Sequence, residues 1–231
     1  MDPGEPMNEP LRVFIGYDPR QPVAYHVLAH SVWHHASRPV SITPLQLKGL
    51  PMKRRGLTEF TYSRFLVPWL SQYRDFSLFL DSDILCRADV FELLLNVTVN
   101  PNAAVHVVKH KELRFEWPSV MLFNNDKCRT LTPAYVDDEK HGLFDFIWAS
   151  EVAGLEKDWN HLIGYDPANP DAKLIHYTQG IPCWPETKDT EWAKEWEEAG
   201  KSMVSTVSFN ELMGRSVHAK HVLARLKANG G

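Results

Sequence analysis

Asp81 and Asp83 stand one residue apart at the end of an apolar run, Ser77-Leu78-Phe79-Leu80. Two neighbouring carboxylates repel each other and are costly to desolvate, so a pair of this kind calls for a cation or a metal–diphosphate complex to hold. Side chains two apart on a strand share a face, which lets both sets of oxygens converge where the strand stops. A second apolar run, Leu174-Ile175, ends on His176. Carboxylates, a neutral imidazole and substrate phosphate oxygens together make an ordinary octahedral set for Mn²⁺, with Mg²⁺ as the other hard ion to consider. The competing reading of the five residues from Phe79 to Asp83 is a plain acidic turn after a strand.

The surrounding pattern supplies elements to position these groups. Arg12 to Gly16 reads as a strand that ends in the loop-forming cluster Gly16-Tyr17-Asp18-Pro19, and Pro22 opens a helix through His35. Val40 to Leu47 is a second strand, and the loop from Lys48 to Gly56 follows. A helix is expected from Thr58, then the strand into Asp81, then a short helix from Asp89 to Leu95 with Asp89 as its cap. Further strands are expected at Ala103 to Val108, Val120 to Phe123 and Lys173 to Tyr177, and helices at Leu143 to Ala149, Thr190 to Glu198 and Ser208 to Lys227. Strands alternating with helices specify an α/β fold with a mainly parallel, Rossmann-like sheet flanked by helices. The ligand of such a sheet lies outside the carboxyl ends of its strands. Asp18, Asp81 and Asn124 are expected together at that edge.

Composition narrows the classes. The 231 residues and 44% hydrophobic content suit one domain, expected over 11–231 behind a loose tail at 1–10. With 25 basic and 29 acidic residues, a net charge of -4 and no Lys/Arg stripe, nucleic acid is a poor partner. Three cysteines without metal-type spacing point to a reducing compartment, so the cytoplasm is expected. No run is long enough to span a bilayer; the basic positions of the last helix, Arg215, Lys220, Arg225 and Lys227, leave a weak contact with an anionic surface as the only membrane role.

Six segments in order resemble a family: Gly16-Tyr17-Asp18; Tyr62-Ser63-Arg64-Phe65 with Val67-Pro68; Phe79-Leu80-Asp81-Ser82-Asp83; Ser119-Val120-Met121-Leu122-Phe123-Asn124; Trp159-Asn160; and His176-Tyr177-Thr178-Gln179-Gly180. They resemble the successive motifs of GT-A glycosyltransferases, nearest the retaining family-8 type that includes bacterial galactosyl- and glucosyltransferases and glycogenin. The resemblance implies a metal-dependent transfer of a hexosyl unit from a nucleotide diphosphate sugar, a UDP-sugar, to a hydroxyl acceptor, a glycan or small molecule, with retention of configuration. It implies that Asp81, Asp83 and His176 hold the ion, that Tyr17 and Asp18 meet the nucleoside, that Arg64 pairs with the donor, and that Asn124 and Asn125 bond sugar hydroxyls. Ser82 and Gly180 join the donor-contacting set on the same basis.

The chain also departs from the family pattern. The lysine that family-8 members place on the phosphates after His-x-x-Gly is missing, its place falling on Ile181 or Cys183; Lys109, His110 or the Lys53-Arg54-Arg55 loop is expected to supply the charge. The family's Asp-Gln-Asp segment is absent, which leaves Asp145 or Glu151 as the acid near the reacting sugar face. Trp117, Trp148, Trp159 and Trp184 are candidate stacking faces for a sugar, with core packing as the alternative. Two further readings remain open: an inactive module that binds a nucleotide sugar, and a haloacid dehalogenase-type phosphatase in which Asp81 is phosphorylated.

Overall fold

Strand β1, Leu11–Gly16, shows why this chain folds around a sheet: Leu11, Val13 and Ile15 are inaccessible on one face, and Phe14 is buried on the other. Strand β3, Phe76–Leu80, repeats the pattern with Leu78 and Leu80 against Phe79. Burying a Leu or Phe fully stabilises by roughly 1.5–3 kcal/mol, so these strands are fixed from both sides. Residues 9–204 are described by this computed structural model, so the expected helix at Ser208 to Lys227 and its membrane contact lie outside the described residues, as do residues 1–8 of the expected tail.

The remaining elements are helix α1 (Pro22–His35), β2 (Val40–Leu45), α2 (Val67–Leu70), β4 (Ile84–Cys86), α3 (Leu95–Val99), β5 (Val105–Val108), β6 (Val120–Asn124), α4 (Pro133–Asp137), β7 (Val152–Leu155), β8 (His161–Leu162), β9 (Leu174–His176) and α5 (Ala193–Met203). They form a six-stranded sheet in the order β2-β1-β3-β6-β5-β7 and a three-stranded sheet in the order β4-β9-β8. In the large sheet β1 pairs in parallel with β2 and β3, and β5 with β7, whereas β6 runs antiparallel to both β3 and β5. The fold is a mixed α/β domain with a mainly parallel sheet flanked by helices. Pro22 at the first helical position starts α1, which buries Ala24, Val27, Leu28, Ser31 and Val32 on one side. No helix of the described residues is long and apolar enough to cross a membrane.

Several elements differ from expectation. The helix expected from Thr58 is a series of turns, a 3₁₀ segment at Ser63–Leu66 and the short α2. Leu143 to Ala149 is not helical beyond a 3₁₀ turn at Leu143–Asp145, because Phe146 takes a left-handed conformation (φ 56°). Phe144, Phe146 and Trp148 instead pack edge-on or tilted against Phe65, Trp117 and Phe123. The helix expected from Thr190 begins at Ala193, after Trp192 at φ 61°. Asp89 caps its segment as expected, accepting from the Phe91 N–H at 3.1 Å. Strands β4, β7 and β8 were not foreseen, nor was the reversed direction of β6.

Candidate metal centre

Asp81-Ser82-Asp83 is the joint between the two sheets: the chain leaves the large sheet at Leu80 and enters the small one at Ile84. The joint is pinned at both ends, since the Asp81 N–H donates to the Ser119 carbonyl at 2.9 Å and the Asp83 carbonyl accepts from the Tyr177 N–H at 2.9 Å. The antiparallel pairing of β4 with β9 sets His176 opposite Ile84 and hence beside Asp83. One ligand atom from each of Asp81, Asp83 and His176 lies within 4.8 Å of the others. His176 Nε2 is 3.4 Å from Asp83 Oδ1.

Each of these groups is held by a neighbour. Asp81 is buried against Arg64, whose Nη1 stands 2.9 Å from Oδ1 and hydrogen-bonds Oδ2 at 3.1 Å. The same guanidinium donates to the carbonyls of Pro118 and Phe60, and lies 5.0 Å above the Phe79 ring centre. Phe60 reaches this position because Gly16 has no side chain: a Cβ there would come within 2.5 Å of the Phe60 ring. His176 Nδ1 is 3.1 Å from Asn160 Oδ1, and the Asn160 amide donates to the Glu116 carbonyl at 3.2 Å. An amide oxygen accepts, so Nδ1 carries the hydrogen and Nε2 is turned toward Asp83. Glu116 Oε2 lies 3.8 Å from the same Nδ1 and accepts from the Ser119 hydroxyl at 2.9 Å.

The charges of the cluster bias one another. Burial raises the Asp81 carboxyl, and Arg64 only partly opposes it, leaving a pKa of about 6. Burial would also raise Asp83, but the charge of His176 overcomes it and holds this carboxyl below its ordinary value. Burial alone would lower His176; the surrounding carboxylates, Asp83 first and then Glu116 and Asp81, push it up to about 9. Three carboxylates against one guanidinium and one imidazole, with Asp81 Oδ1 lacking an aligned hydrogen bond, leave the joint short of positive charge. Two carboxylates and an imidazole are a donor set that a divalent ion of the Mn²⁺ type fits.

Other expected residues fall in two groups. Asp18 is buried at the end of the loop after β1, where Arg20 pairs with it at 2.5 Å and depresses its pKa. Tyr17 beside it packs edge-on to Tyr25 at 5.4 Å. Ser82 is buried within the joint, and Gly180, at φ 110°, makes the turn after His176 beneath the half-exposed Trp184. Asp145 is exposed on the turn whose carbonyl receives Arg114, next to the Arg114–Ser119 segment that carries Glu116.

Asn124 and Glu151 are not at this edge. Because β6 is antiparallel, Asn124 pairs with Phe76 at the start of β3, a strand's length from Asp81. Asn125 follows it there and donates to Arg74 and Ser77. Glu151 precedes β7 and its carbonyl accepts from Ala104, just before β5, so it too sits at the amino edge. Trp148 and Trp159 are buried in the core and offer no face to a ligand. Lys109 is committed to the Val152 carbonyl and His110 to that of Asn160, while Arg54 binds the Val136, Asp138 and His141 carbonyls. Sequence reasoning missed Glu116. The start of β6 meets the site, and only strand direction reveals that.

No family model matches the chain. Protein CDI of Arabidopsis thaliana is 35% identical over an alignment of 228 residues that takes in 84% of this chain and 87% of that protein. Among solved structures, the bifunctional glycosyltransferase WbbM superposes with a TM-score of 0.61 at 16% identity, over 95% of this chain and 52% of WbbM. The glycosyltransferase GlyE of Streptococcus pneumoniae TIGR4 gives 0.62 at 17% identity, over 83% of this chain and 60% of GlyE. The galactosyltransferase LgtC, solved with donor and acceptor sugar analogues, gives 0.57 at 14% identity, over 86% of this chain and 98% of LgtC. The chain thus spans about half of WbbM and three fifths of GlyE. Its fold is that of GT-A glycosyltransferases, resembling the family-8 type.

Proposed function

The chain belongs to the family of the Arabidopsis thaliana Protein CDI, and from that family's sequence laid on a glycosyltransferase fold we propose that it is a divalent-cation-dependent glycosyltransferase. The reaction is transfer of a hexosyl unit from a nucleotide diphosphate sugar, a UDP-sugar by resemblance, to a hydroxyl acceptor, with retention of configuration. One observation carries this reading: Asp81, Asp83 and His176 bring ligand atoms within 4.8 Å at the carboxyl edge of a GT-A sheet. Three free cysteines, two of them buried, fit the reducing cytoplasm in which we place the protein.

Asp81, Asp83 and His176 are the residues that would hold Mn²⁺, and the ion when bound supplies positive charge to the leaving diphosphate. Arg64 keeps Asp81 in place through its two contacts, and Asn160 fixes the His176 tautomer. Tyr17 and Asp18 at the mouth of β1 receive the nucleoside, with Arg20 restraining Asp18. Gly180 lets the chain after β9 turn back across the site. With no carboxylate assigned as a nucleophile, the protein's work is to position the reactants and to stabilise charge on the departing group.

A binding module without turnover is the second reading, and the commitment of Lys109, His110 and Arg54 to main-chain carbonyls favours it, since it leaves the missing phosphate lysine unreplaced by them. Incubation with a panel of nucleotide sugars and Mn²⁺ separates the two. Release of free nucleotide, abolished in Asp83→Asn, is the expected result. Tight Mn²⁺-dependent nucleotide binding with no release from any donor or acceptor would leave the module reading in its place.

A further inference from the structure

Glu116 is the one acidic side chain outside the Asp81–Asp83 pair that the described structure brings against His176. It lies on the 3₁₀ segment Arg114–Ser119, its side chain is 14% exposed, and its Oε2 is 3.8 Å from His176 Nδ1. Asn160 binds that Nδ1 through its side-chain oxygen and returns through its amide to the Glu116 carbonyl. The Glu116 carboxylate is kept in register by the Ser119 hydroxyl, and Ser119 in turn holds the Asp81 main chain. One short segment therefore touches both the imidazole and the first aspartate. Asn160 is itself inaccessible, and its carbonyl is 3.0 Å from His110 Nε2, so the frame behind the imidazole has little freedom.

We propose that Glu116 is a positioning residue of the cation site: with Asn160 it flanks the Nδ1 edge of His176, turns Nε2 toward Asp83, and adds the third carboxylate that lets the protein hold a divalent ion before any nucleotide arrives. The inference rests on the reading of Asp81, Asp83 and His176 as ligands. Asn160 takes the Nδ1 hydrogen and orients the ring, while the Glu116 carboxylate 3.8 Å away raises the basicity of the imidazole through its charge; losing an outer partner of a ligand typically weakens metal binding by about 10- to 100-fold. With the Arg64 guanidinium beside Asp81 counted, the two strand-end aspartates leave the ion one negative charge short, which donor phosphates would otherwise supply. The third acid removes that dependence.

The test is Mn²⁺ binding to the full chain without nucleotide, followed by electron paramagnetic resonance, anaerobically and at one fixed pH for every variant. Wild type is expected to bind, Glu116→Gln to bind about tenfold more weakly and Glu116→Ala more weakly still. Glu112→Gln, exposed just before the same segment, is expected to bind as wild type, and Glu116→Gln to keep the wild-type melting temperature. If wild type binds, Asp83→Asn does not, and both Glu116 variants match wild type within about twofold, this inference falls while the metal-site reading stands. If wild type takes up no Mn²⁺ without nucleotide, pre-loading is overturned; if it takes up none with UDP either, the metal-site reading falls with it.

Discussion

The two edges of the large sheet use the same kinds of residue to opposite ends. At the amino edge, the Asn125 amide donates to the Arg74 carbonyl and the Ser77 hydroxyl, Arg12 donates to the carbonyls of Ser71 and Arg74, and these bonds tie strand ends together without gathering like charges. At the carboxyl edge, Asp81, Asp83, Glu116, Arg64 and His176 converge with more negative than positive charge and with Asp81 Oδ1 lacking an aligned partner. Each edge holds a buried side-chain oxygen without an aligned hydrogen bond, Asn125 Oδ1 at one and Asp81 Oδ1 at the other, so it is the surplus of carboxylates, costly to bury without a cation, that marks the carboxyl edge as built for something else. Residue type does not separate structural from functional positions here. The balance of charge does.

That contrast can be broken by substitution. The largest effect is expected for Asp83→Asn, which removes a ligand candidate while keeping the size of a side chain that is 34% exposed: nucleotide release should fall by about 100-fold or more, with the chain still unfolding cooperatively in urea. Next is pH. His176 is pushed up to about 9 in the ion-free protein, and coordination needs the neutral ring, so Mn²⁺ affinity should rise about tenfold per unit between roughly pH 7 and 8.5, above the range in which Asp81 titrates. The same shift acts on stability: the fold holds the His176 proton more tightly than the open chain does, so the ion-free protein gains fully from it below pH 6.5 and loses that gain as pH climbs toward 9. Chelated protein in urea at a series of pH values would measure it.

Arg64→Met strips the buried partner from Asp81 and is expected to cost about 3 kcal/mol in urea unfolding, eased where Asp81 takes up a proton. Asn125→Ala, at the other edge, should cost about 1–2 kcal/mol and leave Mn²⁺ affinity unchanged. The smallest effect belongs to Glu151→Gln, with donor turnover and Mn²⁺ affinity both expected within about twofold of wild type. A large loss of turnover in Glu151→Gln would erase the distinction between the edges.

The sequence made β1, β3 and β9 legible because each is an apolar run that ends abruptly, on the loop-forming Gly16, on Asp81 or on the ring of His176. It showed the three ligand candidates for the same reason. It did not show strand direction: Val120 to Phe123 is buried on both faces whichever way it runs, so the expectation that Asn124 lies at the site fails and Glu116 carries no signal in the sequence. Strand β4 escaped because Ile84-Leu85-Cys86 is three residues long and is defined by its pairing with Leu174, Ile175 and His176, far along the chain. Around Phe144 to Trp148, helical spacing lost to aromatic packing against Phe65 and Phe123.

The position of Asp81-Ser82-Asp83 between the sheets has a mechanical consequence. An ion gripped from Asp81 on one side and His176 on the other would act as a rivet through both layers, so its departure should free β4, β8 and β9 to breathe against the larger sheet. Amide exchange along Ile84–Cys86 and Leu174–His176 would then track cation occupancy, and the slackening of a single seam would report whether the protein is charged for its work.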